Sequence, residues 1–466
     1  MKLFRKIVFW AHLAVGVIVG LFVALMAGTG LAMAFERQIV DWAEHAVAPA
    51  PKADAKLLPI VTLIEKAQKH EPTKTPSALT VFADPATPAS VGLGRESRLQ
   101  LSNYTGERVG TEAPRLRAFF RTTLDLHRWL ALNGDWRQWG RGTTGVVSLA
   151  FAGLAVSGLV LWFPKYFRWK AIRAVLVPSV KLKGKARDWN WHNALGFWAL
   201  IPLLVITLTG SIMSYTWANN LLYRAAGETP PPPRNEGGPR REGGQGRGEG
   251  RGQGQGQGQR VARPVNTEGL EDLWGQAEEI ANKGGPWESI TLRLGGGRRG
   301  GGGGGENAEE GGAMAMGGMG GGDFGTNGGG FGFGGGGGRG GVQFTIQRGY
   351  PGSPLGRTTL TFDRTTGELT DQRSFSDNPS VGRRLRSLVV PIHRGEIAGP
   401  WGQAVAALAC VFALVLVYTG FALSYRRLVR PVVARIRNRL RGAAATKVPA
   451  EEATPTDFPV KDPLSA

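Results

Sequence analysis

The sequence predicts a membrane α-helical protein, with four transmembrane helices arranged as two parallel repeats and two small α+β extracytoplasmic modules on the loops between them. Three observations predict it. The apolar residues gather in four blocks of about 20 residues or more, enough for a hydrocarbon layer of roughly 30 Å. Lys and Arg collect on one side of those blocks. Each helix of the first half also has a counterpart in the second.

The first block, residues 7–34, follows Lys2, Arg5 and Lys6 and carries hardly a charge. Ala32-Met33-Ala34 looks like a signal-peptide cleavage site, but the stretch is longer than a signal core and has a copy later in the chain, so it reads as a spanning helix. Residues 35–142 form the first outer loop. Within it Leu57 to His70 suits a short helix, and Ala78 to Phe82, Val91 to Leu93 and Ser97 to Ser102 suit strands ending at a Thr105-Gly106 turn. The second span, 143–163, runs into a short connection, 164–192, that holds Lys165, Arg168, Lys170, Arg173, Lys181, Lys183, Lys185 and Arg187.

The third span, 193–217, opens a longer outer loop, 218–400. Thr267 to Lys283 suits a helix with Leu270, Leu273, Ala277 and Ile280 on one side, and Ser289 to Leu294, Val342 to Gln347 and Arg357 to Asp363 suit strands, the last ending at Thr366-Gly367. Two low-complexity runs, 227–259 and 295–341, hold most of the 71 glycines. Such segments bury too little apolar surface to offset the entropy of ordering, and they read as disordered insertions. Their Gly-x-Gly repeats do not sit in a strand-turn-helix unit and are no dinucleotide fingerprint. The fourth span, 401–425, ends in a basic tail, 426–466, with Arg426, Arg427, Arg430, Arg435, Arg437, Arg439 and Arg441.

Three short basic segments on one face place both termini in the cytoplasm. The net charge of +20 is then a topology signal; nucleic acid is not a partner, because the remaining Arg-rich stretch lies on the opposite face. Cys410, the single cysteine, falls inside the fourth span, which leaves no disulfide framework or cysteine cluster.

At an offset of 180 residues His12 superposes on His192, Gly16 on Gly196, Thr29 on Thr209, Gly30 on Gly210 and Met33 on Met213. Leu126-His127-Arg128 and Ile392-His393-Arg394 each precede a span that closes in Ser157-Gly158 or Thr419-Gly420. Two such units inserted in the same sense are related by an axis along the membrane normal. Four of the six histidines recur in this duplication, while His45 and His70 have no counterparts and read as surface residues.

The axis would bring like positions together, giving one facing imidazole pair per leaflet: His12 with His192, and His127 with His393. An imidazole at a helix end is ordinary by itself, but two that face across a bundle can supply both axial ligands of a haem iron. At 3.6 residues per turn, Gly16 and Gly30 share the His12 face of their helix, and Gly196 and Gly210 share that of His192, which lets a porphyrin approach the backbones. Close helix packing explains the same glycines equally well. Arg128 and Arg394 directly follow their histidines and suit haem propionates or lipid headgroups. No Cys or clustered carboxylate accompanies either pair, so a closed tetrahedral zinc site is not expected.

Leu126-His127-Arg128-Trp129, Trp191-His192-Asn193-Ala194-Leu195-Gly196 with Leu208-Thr209-Gly210, and His393-Arg394-Gly395 with Thr419-Gly420 together resemble the PepSY-associated transmembrane-helix family, often described as iron-regulated membrane proteins. Phe362-Asp363-Arg364-Thr365-Thr366-Gly367 also looks like the D-x-x-T-G turn of PepSY modules. The resemblance implies a reductase in the bacterial inner membrane in which b-type haems, two here, carry electrons outward to a ferric siderophore. His12, His192, His127 and His393 would be the iron ligands, and both outer modules would be PepSY-like.

A quinol or a separate cytoplasmic reductase would supply the electrons, because neither cytoplasmic segment is large enough for a flavin or nicotinamide domain. The competing reading is a non-redox, membrane-anchored PepSY protein that senses or inhibits extracytoplasmic peptidases. A permease is a weaker third, since the spans hold almost no ionisable residue to line a pathway.

Overall fold

The computed structural model describes residues 2–45, 56–93, 97–109, 113–163, 168–231, 265–294 and 341–445. The two glycine-rich runs lie almost wholly outside them, as does the side chain of His45. Along the chain the helices are α1 (Lys2–Met33), α2 (Glu36–His45), α3 (Ile60–His70), α4 (Pro114–Trp129), α5 (Arg137–Trp162), α6 (Trp169–Leu176), α7 (Gly184–Ser214), α8 (Thr216–Ala225), α9 (Leu270–Lys283), α10 (Val381–His393), α11 (Gly399–Ser424) and α12 (Arg430–Ala445).

Among the described residues, four helical stretches are long and apolar enough to cross a membrane: Lys2–Met33, Gly134–Trp162, Gly184–Ser214 and Glu396–Arg439. The chain is a multi-pass membrane protein. Hydropathy marks only the part of a helix that suits hydrocarbon, and the helices outrun it. Helix α7 starts nine residues before the span read from the sequence, so His192 lies about two turns inside it. It also stops sooner, because Tyr215 takes an extended conformation (φ −121°, ψ 132°) and α8 starts anew.

Helix α1 packs on α5 and α11, and α7 packs on the same two, so α1 and α7 occupy opposite corners of the bundle. Ala27, Ala199, Leu203, Ala409 and Ala413 fill its middle, and Val19, Val23 and Val147 form a second buried cluster. Apolar side chains that point away, such as Ile18, Leu21, Ile201 and Leu408, are exposed, as expected of a surface solvated by lipid. Two amphipathic helices that periodicity did not single out extend the bundle at one end. Helix α4 docks on α1 and α5, and α10 docks on α7 and α8. The chain doubles back after α4 because Gly140 touches it: a Cβ there would sit 2.0 Å from the Trp129 carbonyl oxygen.

At that end lies a seven-stranded antiparallel sheet: β1 (Pro76–Phe82), β2 (Ala89–Leu93), β3 (Ser97–Leu101), β4 (Ser289–Arg293), β5 (Gly341–Gln347), β6 (Arg357–Asp363) and β7 (Leu369–Ser374). The order is β3-β2-β1-β4-β5-β6-β7. The sequence suggested two separate modules, but their strands join. β1 pairs with β4 from Ala78↔Arg293 to Phe82↔Ser289, and Thr80 Oγ1 meets Thr291 Oγ1 at 2.9 Å in the middle. Each of these strands would otherwise be an open edge, and pairing them satisfies both rows of backbone groups. Helices α3 and α9 share one apolar core with the strands, including Leu63, Ile64, Leu79, Leu273, Ile290, Phe344 and Phe362.

The two strand-end turns have the same construction. Asp363 accepts hydrogen bonds from the backbone N–H groups of Thr365 (2.7 Å) and Thr366 (3.0 Å), and Gly367 takes φ +73°. Ser102 accepts from those of Tyr104 and Thr105, and Gly106 takes φ +65°. Backbone N–H donors hold the exposed Asp363 carboxyl below its ordinary range.

Candidate functional site

The four recurrent histidines form two facing pairs, one toward each end of the bundle. On the far side from the sheet, His12 of α1 and His192 of α7 have ring centres 6.3 Å apart. On the sheet side, His127 at the end of α4 and His393 at the end of α10 are 6.4 Å apart. Thr29, which holds His127, lies 17 residues after His12 in the same helix, or about 25 Å along its axis.

Each imidazole is held by a hydroxyl from a neighbouring helix. His12 Nδ1 is 2.9 Å from Ser157 Oγ, His192 Nδ1 2.9 Å from Thr419 Oγ1, His127 Nδ1 2.8 Å from Thr29 Oγ1 and His393 Nδ1 3.0 Å from Thr209 Oγ1. Every one of these hydroxyls donates its own proton to a carbonyl one turn back in its helix: Leu154, Val415, Leu25 and Val205. The oxygen is therefore the acceptor, and Nδ1–H the donor. The carbonyl of Ile206, 2.9 Å from His393 Nδ1, can only accept and requires the same tautomer. Nε2 keeps its lone pair in all four rings, which is the form that binds a metal.

The residue after each hydroxyl is glycine, and the ring edge rests on it. A Cβ at Gly158 would lie 3.5 Å from His12 Cε1, at Gly420 3.5 Å from His192, at Gly30 3.5 Å from His127 and at Gly210 3.4 Å from His393. Helical spacing groups Gly30 and Gly210 with His12 and His192, but in the fold they cradle the sheet-side pair. The helices are long enough that one helix face passes both pairs. Gly16 and Gly196 meet Leu154 and Leu416 of the adjoining helices, the packing role that the sequence left open.

Two imidazoles on opposite sides of one metal ion are separated by two bonds of about 2.0 Å and two ring radii of about 1.2 Å, or about 6.4 Å between ring centres. Both pairs have this separation. Among the described residues no group of three or more His, Cys, Asp or Glu is placed to hold an ion, so the donor set at each pair is two imidazoles. That set suits a metal whose remaining ligands come with it, as in a porphyrin.

The family model for the PepSY-associated TM region matches residues 9–427, which include all four histidines and both loops. The chain belongs to this family. No curated protein matches it.

In this PepSY-associated chain the arginines beside the sheet-side pair have unlike surroundings. Arg394 pairs with Glu396 at 3.2 Å, and Glu396 also holds Arg37 at 3.4 Å. Arg128 stacks on Trp129 with its guanidinium carbon 4.7 Å from the ring centre, and Arg137 takes the same ring at 3.5 Å. Burial, then the charges of Arg141, Arg137 and Arg386, push Arg128 down to about 10. His70 is exposed, with Nε2 3.2 Å from the Gly106 carbonyl.

Sequence reasoning assigned no role to Ser157, Thr419, Thr29 or Thr209. The signal was present as a Ser/Thr-Gly pair recurring near the end of every spanning helix. Arg141 and Arg386 were also missed, and only the fold brings them to Arg128.

Proposed function

We propose that the chain is a haem-containing oxidoreductase of the bacterial inner membrane, moving electrons outward to reduce a periplasmic ferric chelate such as a siderophore. The observation that carries this reading is the pair of imidazole facings, each at the separation that bis-imidazole ligation of one iron requires. Two b-type haems are proposed, one held by His12 and His192, the other by His127 and His393. When bound, haem supplies a one-electron ferric/ferrous couple on each side of the bilayer.

The residues of the chain do the rest. Ser157, Thr419, Thr29 and Thr209 fix each ring in the tautomer that presents Nε2. Gly158, Gly420, Gly30 and Gly210 leave room for the ring edges, and the alanine-rich middle of the bundle excludes water between the pairs. Lys and Arg on the connection between α5 and α7 and on the tail support a cytoplasmic position for both termini. The sheet and the sheet-side pair then face the periplasm, where the ferric chelate is reached. A quinol or a cytoplasmic reductase is the electron donor. The matching His, Ser/Thr-Gly and turn pairs support two parallel repeats, each with a PepSY-like module.

The test is the absorption spectrum of the purified protein with and without dithionite. A Soret band and a sharp reduced α-band are expected, each diminished in His12→Ala and in His393→Ala. A folded, membrane-inserted protein with no such bands refutes the reading and leaves the non-redox PepSY alternative.

A further inference from the structure

On the far side from the sheet, the connection between α5 and α7 is fastened to the bundle through α6. The last carbonyls of α6 have no partner within the helix, and side chains of the bundle take them. Asn190 Nδ2 donates to the carbonyls of Ala174 at 2.7 Å and Val177 at 3.1 Å, Trp162 Nε1 to that of Val175 at 3.1 Å, and Trp198 Nε1 to that of Leu176 at 2.9 Å. The turn that follows is held by the same stretch of α7. Asn190 Oδ1 accepts from the Ser179 N–H at 2.7 Å, and Trp191 Nε1 donates to the Ser179 carbonyl at 3.0 Å. These bonds fix α6 level with residues 190–198, where the third span enters the membrane and Trp residues mark the headgroup layer.

Between α6 and α7 lies an open cleft of about 910 Å³. Lys170, Arg173 and Ala174 line it from one face of α6, Lys185 and Trp189 from one face of α7, and Lys181 from the turn between them. Four exposed cations thus line the cleft, and no carboxylate does. Asp188, next to Trp189, is fully buried, and its carboxylate is taken by Arg187 at 2.8 Å and by Arg426 at 2.5 Å. Large apolar side chains are exposed among the cations: Trp169, Trp189 and, at 85%, Val180. Indole and aliphatic groups left bare beside ammonium and guanidinium groups suit the boundary between lipid headgroups and acyl chains.

We propose that the cleft between α6 and α7 binds the headgroup of an anionic phospholipid, in the leaflet on the far side from the sheet. Its volume is in the range that small-molecule ligands fill. Charge complementarity selects an anionic lipid over a zwitterionic one, because four cations converge on the cleft and its walls offer them no counter-charge. Lysine and arginine both bind phosphate oxygens by charge-assisted hydrogen bonds. The exposed indoles select lipid over free phosphate, since a dissolved anion has no apolar part to cover them. The proposal goes beyond the redox reading and does not rest on haem.

The experiment uses the full-length protein in nanodiscs of phosphatidylcholine and phosphatidylglycerol in equal parts, and native mass spectrometry counts the lipid that stays bound on release. The variants are Lys170→Gln with Arg173→Gln, Lys181→Gln with Lys185→Gln, and Ala174→Trp, which keeps every cation but fills the cleft. Arg435→Gln with Arg437→Gln on the tail is the control of equal charge. The parent protein and the tail control should retain phosphatidylglycerol in preference to phosphatidylcholine. That preference should fall about 25-fold in each paired cleft variant, about fivefold per cation, and be lost in Ala174→Trp. The paired variants change exposed side chains only, so they decide the matter if Ala174→Trp does not fold. No preference in the parent protein overturns the proposal. An equal fall in the tail control, or an Ala174→Trp protein that folds and keeps the preference, also overturns it, because the attraction is then that of charge at large. Calorimetric titration of inorganic phosphate in pure phosphatidylcholine nanodiscs tests the other source. Phosphate binding that the paired cleft variants lose, without a lipid preference in the parent protein, assigns the cleft to a soluble anion and overturns the lipid.

Discussion

Replacing Thr29 with Val removes one oxygen and leaves the branched shape of the side chain. Thr29 is buried, and its oxygen, 2.8 Å away, accepts the Nδ1 proton of His127. In Thr29→Val that N–H faces a methyl group in a site closed to water. An orphaned buried donor costs about 1–3 kcal/mol, equivalent to about five- to 150-fold in an equilibrium constant. Loss of a hydrogen bond that orients a metal-binding histidine costs about 10- to 100-fold in affinity by an independent measure. If haem binds as proposed, the expected result is sheet-side haem occupancy that becomes labile, with far-side haem unaffected because Ser157 and Thr419 hold the rings of His12 and His192. Pyridine-haemochrome analysis after dilution and washing gives the haem-to-protein ratio, which should fall from two toward one. Thr29→Ser keeps the acceptor and should retain both. Equal haem retention by Thr29→Val, Thr29→Ser and the parent protein would refute the assignment of Thr29 as the residue that positions His127.

On the proposed haem ligation, Gly158→Val and Gly420→Val should each abolish far-side haem binding, because branches beyond a Cβ already 3.5 Å from a ring edge collide with the imidazole, whereas Gly→Ala at either position makes ordinary contact and is tolerated; haem content separates the two. Glu396→Gln removes the countercharge of Arg37 and Arg394 in a position only 2% exposed, and a loss of about 3–5 kcal/mol is expected, read as a lower thermal midpoint. Asp363 has a carboxyl held below its ordinary range by backbone N–H groups, so its contribution is complete above the unfolded value and is lost as pH falls through the folded one. Between neutral pH and about pH 3 the thermal midpoint of the parent protein should therefore fall more steeply than that of Asp363→Asn, which is already lower at neutral pH.

Much of this arrangement is legible in the sequence because it follows from periodicity and solvent. Four apolar blocks announce four spans, and alternation announces six of the seven strands. The missed strand, β7, is an edge whose residues are mostly exposed, so no apolar alternation marks it. Helices α4 and α10 escape sequence reading because each is rich in Arg and largely polar, and their apolar faces make sense only against α1 and α7. The histidine pairs were inferred from the duplication. The hydroxyls that hold them were not, since each acts on a ring from another helix, up to 227 residues away. The joining of the two outer modules into one sheet was also out of reach. It depends on two open strand edges meeting, and a sequence does not state which edges meet.

The β1–β4 pairing ties the two halves of the chain together above the membrane, while α5 and α11 tie them within it. Transporters built from two repeats work by letting one half rock against the other. Here such rocking would tear a five-residue ladder from the centre of a continuous sheet and split its single apolar core. The halves are thereby locked as one body, and the distance between the two histidine pairs is a fixed dimension of the fold. A fixed gap is of little use for carrying a solute across, but it suits traffic that needs no moving parts.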